Sequence, residues 1–242
     1  LLLLVKFRTY DKKIEKKDYP TIFLLGILII PINQTLYLWG QSMTAAGHGS
    51  LLFATMPIWM LVLAFIHLKE RPGIRRVLGV FVAMTGVAIV MGVGALNLGT
   101  EYLLGDFIIL IAVIAWAYYT IIGKKLVQKY GAIRITAYSL ASGSLLYFPF
   151  GLYRVIQFDY AVVPFEAWWS VVYMAIGTSL IAYVLWYWVL KYMEASRIAV
   201  FHNLQPFLAA GVAYVWLGEP LGVGFVVGAL IAIAGVLIAE IK

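Results

Sequence analysis

The sequence predicts an all-α integral membrane protein built as an inverted repeat of five-helix halves. Three observations predict it: a composition with too little polarity to coat a soluble fold, apolar runs of spanning length with one-sided charge between them, and a gap-free internal repeat. Of 242 residues, 64% are hydrophobic and 12% charged, with mean hydropathy +0.95. Soluble domains are roughly 45–50% apolar and about 25% charged. The stretch Tyr19 to Leu68 holds no Asp, Glu, Lys or Arg. At 1.5 Å per residue it makes about 75 Å of helix, too long for one crossing and enough for two. Further uncharged runs cover 77–100, 107–123, 135–153, 167–190, 198–218 and 220–239.

Taken in order, the runs predict a stub at 1–7 and spans at about 21–44, 49–68, 73–94, 103–123, 135–154, 167–190, 197–217 and 221–241. Alternate loops then carry all of the 18 Lys and Arg except Arg154, while Glu101, Asp106, Asp159, Glu166 and Glu219 fall on the opposite side. Basic loops stay cytoplasmic, so the bias predicts a multi-pass protein of the cell (inner) membrane with a cytoplasmic C-terminus. The net charge of +7 is thereby spent on orientation, and no nucleic-acid partner is expected. The absence of cysteine removes disulfides and thiol chemistry. His48, His67 and His202 stand on different spans without paired ligand spacing, so neither a metal nor a cofactor is expected. Gly222-Val223-Gly224 is no nucleotide loop, because the required third glycine falls on Val227 and no strand precedes it.

Sliding the chain on itself by 149 positions aligns 21–89 with 170–238 without a gap. Apolar identities mean little in such a chain. The rarer matches carry the signal: Pro57/Pro206, Glu70/Glu219, Gly73/Gly222, Gly79/Gly228 and Gly86/Gly235, with Trp39/Trp188 and Ala46/Ala195. The charge map puts Glu70 inside and Glu219 outside, so the copies are inverted, as happens when each has an odd number of spans. The predicted division is 1–100 as the first repeat and 101–242 as the second, with five spans to a half. Ten helices are then expected in the complete protein, about eight plus a stub in this chain, with the first helix and most of the second preceding Leu1. Inverted repeats around a site at mid-membrane are a recurrent way to build alternating access. A carrier of small solutes is therefore expected rather than an enzyme: no nucleophile–base pairing stands out. An intramembrane enzyme or a non-transporting scaffold would leave the repeat unexplained.

The acidic motif that ends a helix, followed by a glycine-spaced helix, reads Leu68-Lys69-Glu70-Arg71 then Gly79 and Gly86-Val87 in one copy. In the other it reads Leu217-Gly218-Glu219-Pro220 then Gly228 and Gly235-Val236. With the small-residue and Trp-Ala pattern of Gly105-Asp106 to Ala115-Trp116-Ala117, the chain resembles the EamA-type transporters of the drug/metabolite transporter superfamily. The resemblance implies ten helices, cytoplasmic termini and export of amino acids, other metabolites or drugs.

Polar groups within spans are expensive in lipid and face the interior, which makes them the candidate solute contacts. Asn33, Tyr37 and Gln41 fall four apart on one helical face with Gln34 beside them. Pro31 just before loosens the backbone ladder. Tyr183 and Trp186 are the repeat partners of Gln34 and Tyr37, with Tyr187 adjacent. The second cluster is the polar run His202, Asn203, Gln205 and Pro206, of which His202 and Gln205 are the expected contacts. Met56, Trp59, Trp116 and Tyr119 are candidate aromatic and thioether walls, and Pro31, Pro57 and Pro206 candidate hinges. The competing reading of Asn33 and Gln34 is helix–helix hydrogen bonding, worth about 0.6–2 kcal/mol each. Glu70 and Glu219 read as end-of-helix contacts rather than solute ligands. The small residues Gly79, Ala83 and Gly86, and Gly224, Gly228 and Ala232, read as close-packing faces, with a homodimer as one use for them. No carboxylate and no Lys or Arg sits mid-span, which predicts an uncharged or zwitterionic solute and facilitated movement, with His202, and after it His48, the only residues able to carry a coupling proton.

Overall fold

The computed structural model describes residues 1–7, 13–44, 46–90, 100–160, 163–217 and 223–240. Arg8, Lys12, Glu219, Pro220, Gly222 and Lys242, which enter the charge and repeat arguments, lie outside them. Among the described residues every regular element is helical. Lys16–Gln41, His48–Leu68, Leu103–Tyr130, Ala167–Tyr192 and Val223–Glu240 are each long and apolar enough to cross a bilayer. The other three expected spans are helical too, over Ile74–Val90, Ala132–Gln157 and 195–217. The chain is a multi-pass, all-α membrane protein.

Three prolines mark the irregular helices. Pro31 lacks the N–H that an interior turn uses, and it lies in a widened π-type segment, Leu28–Gln34. A second π-type segment, Met174–Ala182, overlaps the positions that the repeat aligns with it. Helix Ala46–Ala54 stops before Thr55 and restarts as Met56–Leu63, with Pro57 in the first turn, where a missing N–H costs nothing. Likewise Ala195–Phe201 passes through a tight 3-10 turn, His202–Leu204, into Gln205–Leu217, with Pro206 in its first turn. The repeat aligns Thr55 with Leu204, so both breaks occur at matching positions.

One expected boundary is corrected. The basic stretch 124–134 was expected as a loop, but the helix continues from Leu103 to Tyr130 and the next begins at Ala132. A single residue turns the chain: Gly131 at φ +87°, a conformation that side chains disfavour. The lysines there sit on helix that runs beyond the apolar segment: Lys125 is exposed and Lys129 half-buried, while Lys124 is buried.

By contacts the chain divides into two compact units that each draw on both repeats: 1–31 with 122–192, and 32–121 with 193–242. This spatial division is a different relation from the sequence repeat. In the first unit, helix Tyr19–Ile27 packs on Ala132–Gln157. A Cβ at Gly26 would lie 2.7 Å from both the Gly143 nitrogen and the Ser139 carbonyl oxygen, so the backbones meet almost directly. The segment before Tyr19 is tied down by charge. Asp18 accepts from Lys129 Nζ (2.8 Å) and Tyr130 Oη (2.6 Å), and Glu15 pairs with Lys129 at 2.6 Å. Those lysine contacts, Lys129 first and then Lys17, hold the Glu15 carboxyl below its ordinary range.

In the second unit, helices Ile74–Val90 and Val223–Glu240 pack most closely. A Cβ at Gly79 would lie 2.5 Å from the Gly235 carbonyl oxygen, and one at Gly86 would lie 2.5 Å from that of Gly228. Each glycine thus faces the repeat partner of the other, the reciprocity of a two-fold contact. The small-residue faces seen in the sequence meet within one chain here. Leu61, Val80, Val200, Val236 and Ala239 form the adjoining core. At its edge Glu70 accepts hydrogen bonds from the backbone N–H of Ala195 (3.1 Å) and Ser196 (3.0 Å) and from Ser196 Oγ (2.7 Å). Arg76 joins the same group through Glu194 (2.6 Å) and Ser196 (2.7 Å). Glu70 is therefore a helix cap, as the interfacial reading expected.

Candidate functional site

The second unit holds a cavity of about 400 Å³. It is lined by Tyr37, Ser50, Phe53 and Ala54 and by His202, Asn203 and Gln205. The helix breaks place them. Ser50, Phe53 and Ala54 occupy one face of the helix that stops at Thr55, and His202 and Asn203 lie in the tight turn before Pro206. Phe53 and His202 are repeat partners, and so are Ala54 and Asn203. The cavity is faced by matching positions of the two copies that have diverged in polarity. The Tyr37 ring meets Phe53 edge-on, with centroids 5.1 Å apart and planes at 83°.

Asn203 is the most informative member. The residue is 1% exposed, and among the described residues neither its amide nitrogen nor its amide oxygen has a hydrogen-bond partner. A buried polar group without a partner costs about 1–3 kcal/mol, so such groups are retained where something else meets them. Two N–H donors and one acceptor on one rigid plane suit a solute that carries both kinds of group. Among the described residues, no Asp, Glu, Lys or Arg lines the cavity. Together the lining can hold a polar but uncharged or zwitterionic head against His202, Asn203 and Gln205, with an apolar body against Tyr37, Phe53 and Ala54.

The expected contacts divide. Tyr37, His202 and Gln205 are brought together in this cavity. Asn33 is buried and donates to the Ala112 carbonyl oxygen at 2.8 Å, a helix–helix bond. Gln34 is half-buried one residue on, inside the widened segment with Pro31. Met56 is fully buried, and Trp59 donates to Thr55 Oγ1 at 3.3 Å, so both pack about the helix break rather than line the cavity. The Trp116 and Tyr119 rings meet at a tilt of 35° with centroids 5.8 Å apart, and Tyr119 is fully buried. Tyr183 and Tyr187 are buried and Trp186 half-buried, all in the first unit, where Gly123 makes room for the Tyr187 hydroxyl. Sequence reasoning missed Ser50, Phe53 and Ala54. Their spacing puts them on the face that Pro57 continues, but an apolar face carries no chemical signal. Asn203 was visible as part of a polar run, though nothing in the run marked it as the unpartnered one.

The profile of the EamA-like transporter family matches residues 1–92 and 103–240. Among curated proteins, an uncharacterized transporter of Archaeoglobus fulgidus is 29% identical over 233 residues, covering 96% of this chain and 81% of that protein. The uncharacterized transporter YyaM of Bacillus subtilis is 28% identical, covering 99% and 79%. A protein of Streptantibioticus cattleyicolor named a probable terminal-alkyne amino-acid exporter is 31% identical, covering 92% of this chain and 73% of its own. A solved crystal structure superposes with a TM-score of 0.79 at 18% identity over 92% of this chain and 76% of that one, which shows a shared fold. With the family profile matched across both halves, the chain belongs to the EamA-like transporter family.

Proposed function

We propose that this protein exports small metabolites, chiefly amino acids or related amphipathic compounds, by alternating access, and that the cavity at Tyr37 and Asn203 is its solute site. The observation that carries the reading is the buried Asn203 amide, polar on both atoms, in an uncharged lining that sets Ser50, His202 and Gln205 beside Tyr37, Phe53 and Ala54. The amino-acid exporter among its relatives supports the substrate class. The reciprocal glycine contacts and the repeat-matched cavity residues support an inverted arrangement of the two copies, and with it the ten-helix plan that the family resemblance implies. The loop charges support placement in the inner membrane with the C-terminus cytoplasmic. Covalent chemistry is not part of this proposal.

The test is counterflow in proteoliposomes preloaded with unlabelled L-serine, L-leucine and L-phenylalanine in turn. Saturable entry of the labelled compound at equal pH supports a carrier. Counterflow that Tyr37→Ala and His202→Ala leave unchanged in half-saturation and rate overturns the assignment of the cavity.

A further inference from the structure

His48 and Asp106 stand 58 residues apart in sequence and meet in the second unit. The His48 side chain is 4% exposed, and its Nδ1 lies 3.0 Å from one Asp106 carboxylate oxygen and 3.1 Å from the other. Thr44 Oγ1 donates to the same carboxylate at 2.6 Å. Asp106 occupies the first turn of helix Leu103–Tyr130, where the helix dipole favours the anion. A carboxylate only accepts, so His48 Nδ1 carries its hydrogen towards Asp106 and Nε2 is the atom that gains or loses a proton. That Nε2 is buried and, among the described residues, has no hydrogen-bond partner.

The other groups near the ring are few. Tyr102 meets it edge-on at 5.2 Å, and Glu101 adjoins Tyr102 in the same short turn. Of the helices packed on Ala46–Ala54, Thr35–Gln41 and Met56–Leu63 bring no charged residue. Ile74–Val90 has only Arg75 and Arg76, in its first turn, where Arg76 is engaged by Glu194 and Ser196. Asp106 is the one ionic partner of His48 among the described residues.

We infer that the His48–Asp106 pair is a proton-binding site that couples transport to the proton gradient by exchange. A proton gained at His48 Nε2 takes the pair from one net negative charge to none, and its loss restores the charge. A quarter of the Asp106 side chain is exposed, so water reaches the carboxylate of the pair. Helix Ala46–Ala54 holds His48 at its start and Ser50, Phe53 and Ala54 of the cavity within the next two turns. The charge state of the pair and the position of the cavity wall are therefore properties of one rigid element. An exporter linked in this way moves its solute outward as the proton moves inward. This inference rests on the transport reading and replaces the expectation of uncoupled movement.

Two arms test it on the full chain. In the first, histidine ¹⁵N resonances are followed over about pH 5 to 8.5, the range in which imidazole ordinarily titrates, with His48→Gln used for assignment. A proton held by the pair makes the His48 resonance depend on pH, in a way that Asp106→Asn alters. Failure of His48 to titrate, or a midpoint that Asp106→Asn leaves unchanged, overturns the site. In the second, proteoliposomes at clamped membrane potential take up labelled L-serine, L-leucine or L-phenylalanine with and without an acid interior. The acid interior should raise wild-type accumulation several-fold. His48→Gln should abolish the increase while keeping equal-pH counterflow, which shows that the variant is folded. An undiminished response in His48→Gln, no response in the wild type, or drive from an acid exterior overturns the coupling. If no compound shows counterflow at all, the transport reading for these solutes fails, and the titration arm still decides the proton site.

Discussion

Replacing Asn203 by leucine separates a solute contact from a structural residue, because the two roles predict opposite changes in stability. Leucine branches at Cγ as asparagine does and has no polar atoms, and its larger volume is taken up by the cavity that Asn203 borders. In the protein alone the Asn203 amide is buried with both polar atoms unpartnered. Removing it relieves a penalty of about 1–3 kcal/mol and opens no cavity. Asn203→Leu should therefore unfold at the same temperature as the wild type or higher. Transport should move the other way. Two hydrogen bonds to a solute, at about 0.5–1.5 kcal/mol each, correspond to roughly a five- to 150-fold loss in affinity. Thermal unfolding in detergent reads the first quantity, and the half-saturation of counterflow reads the second. If Asn203→Leu melts several degrees lower and transports with unchanged half-saturation, Asn203 is a structural amide and the cavity loses its main support.

The helix contact at Gly86 allows little relief, because a Cβ there would press on the Gly228 carbonyl oxygen and, at 2.6 Å, on the Ala232 nitrogen. Gly86→Ala should cost about 1–3 kcal/mol, read as a lower melting temperature, and an unchanged melt would show that the two helices are free to part. Glu70→Ala strips the cap from Ala195 and Ser196 and should cost about 0.5–2 kcal/mol, with Glu70→Gln recovering part of it in the same assay. Lys129→Gln frees Glu15 from its largest stabilising contact. A carboxyl held below its ordinary range adds stability that is present above its unfolded value and lost as pH falls through the folded one. The variant should therefore lose less stability than the wild type between neutral pH and about pH 4, and identical acid profiles would count against the pairing.

The helices were legible because their cause is the composition itself: chains this apolar must satisfy every backbone group internally, and the spans follow from length. Loop boundaries were less so. Charge marks where helix leaves the bilayer, not where it ends, and Lys124, Lys125 and Lys129 sit on helix that continues to Gly131. Site residues divided for a similar reason. A polar residue inside a span signals that it faces protein, which held for both Asn33 and Asn203. Only the structure distinguishes the one that bonds Ala112 from the one without a partner. His48 and Asp106 were invisible as a pair because no local spacing links residues on different helices. Ser50, Phe53 and Ala54 were invisible because an apolar cavity wall and an apolar packing face have the same sequence.

The divergence of the repeat at the cavity makes a sharper point about how such a site arises. Two copies of one break, before Pro57 and before Pro206, bring matching positions to one cavity: Phe53 and His202, and Ala54 and Asn203. Were both copies polar, the lining would bury twice the unpaired polarity, and were both apolar, nothing would orient a solute. One polar and one apolar copy give an amphipathic lining at the desolvation cost of a single polar set. If the two positions are interchangeable in this sense, each single change should impair counterflow: Phe53→His by adding a second polar group, His202→Phe by removing the first. The double swap restores one of each. It should retain more activity than the two single losses combined, a coupling in the range of 0.5–3 kcal/mol that contacting sites show. The Tyr37 ring, edge-on to Phe53 at 5.1 Å, can meet an imidazole in its place. A double swap whose loss is simply the sum of the single losses would mean that the two positions act independently, and that the likeness of the copies is ancestry without present mechanical meaning.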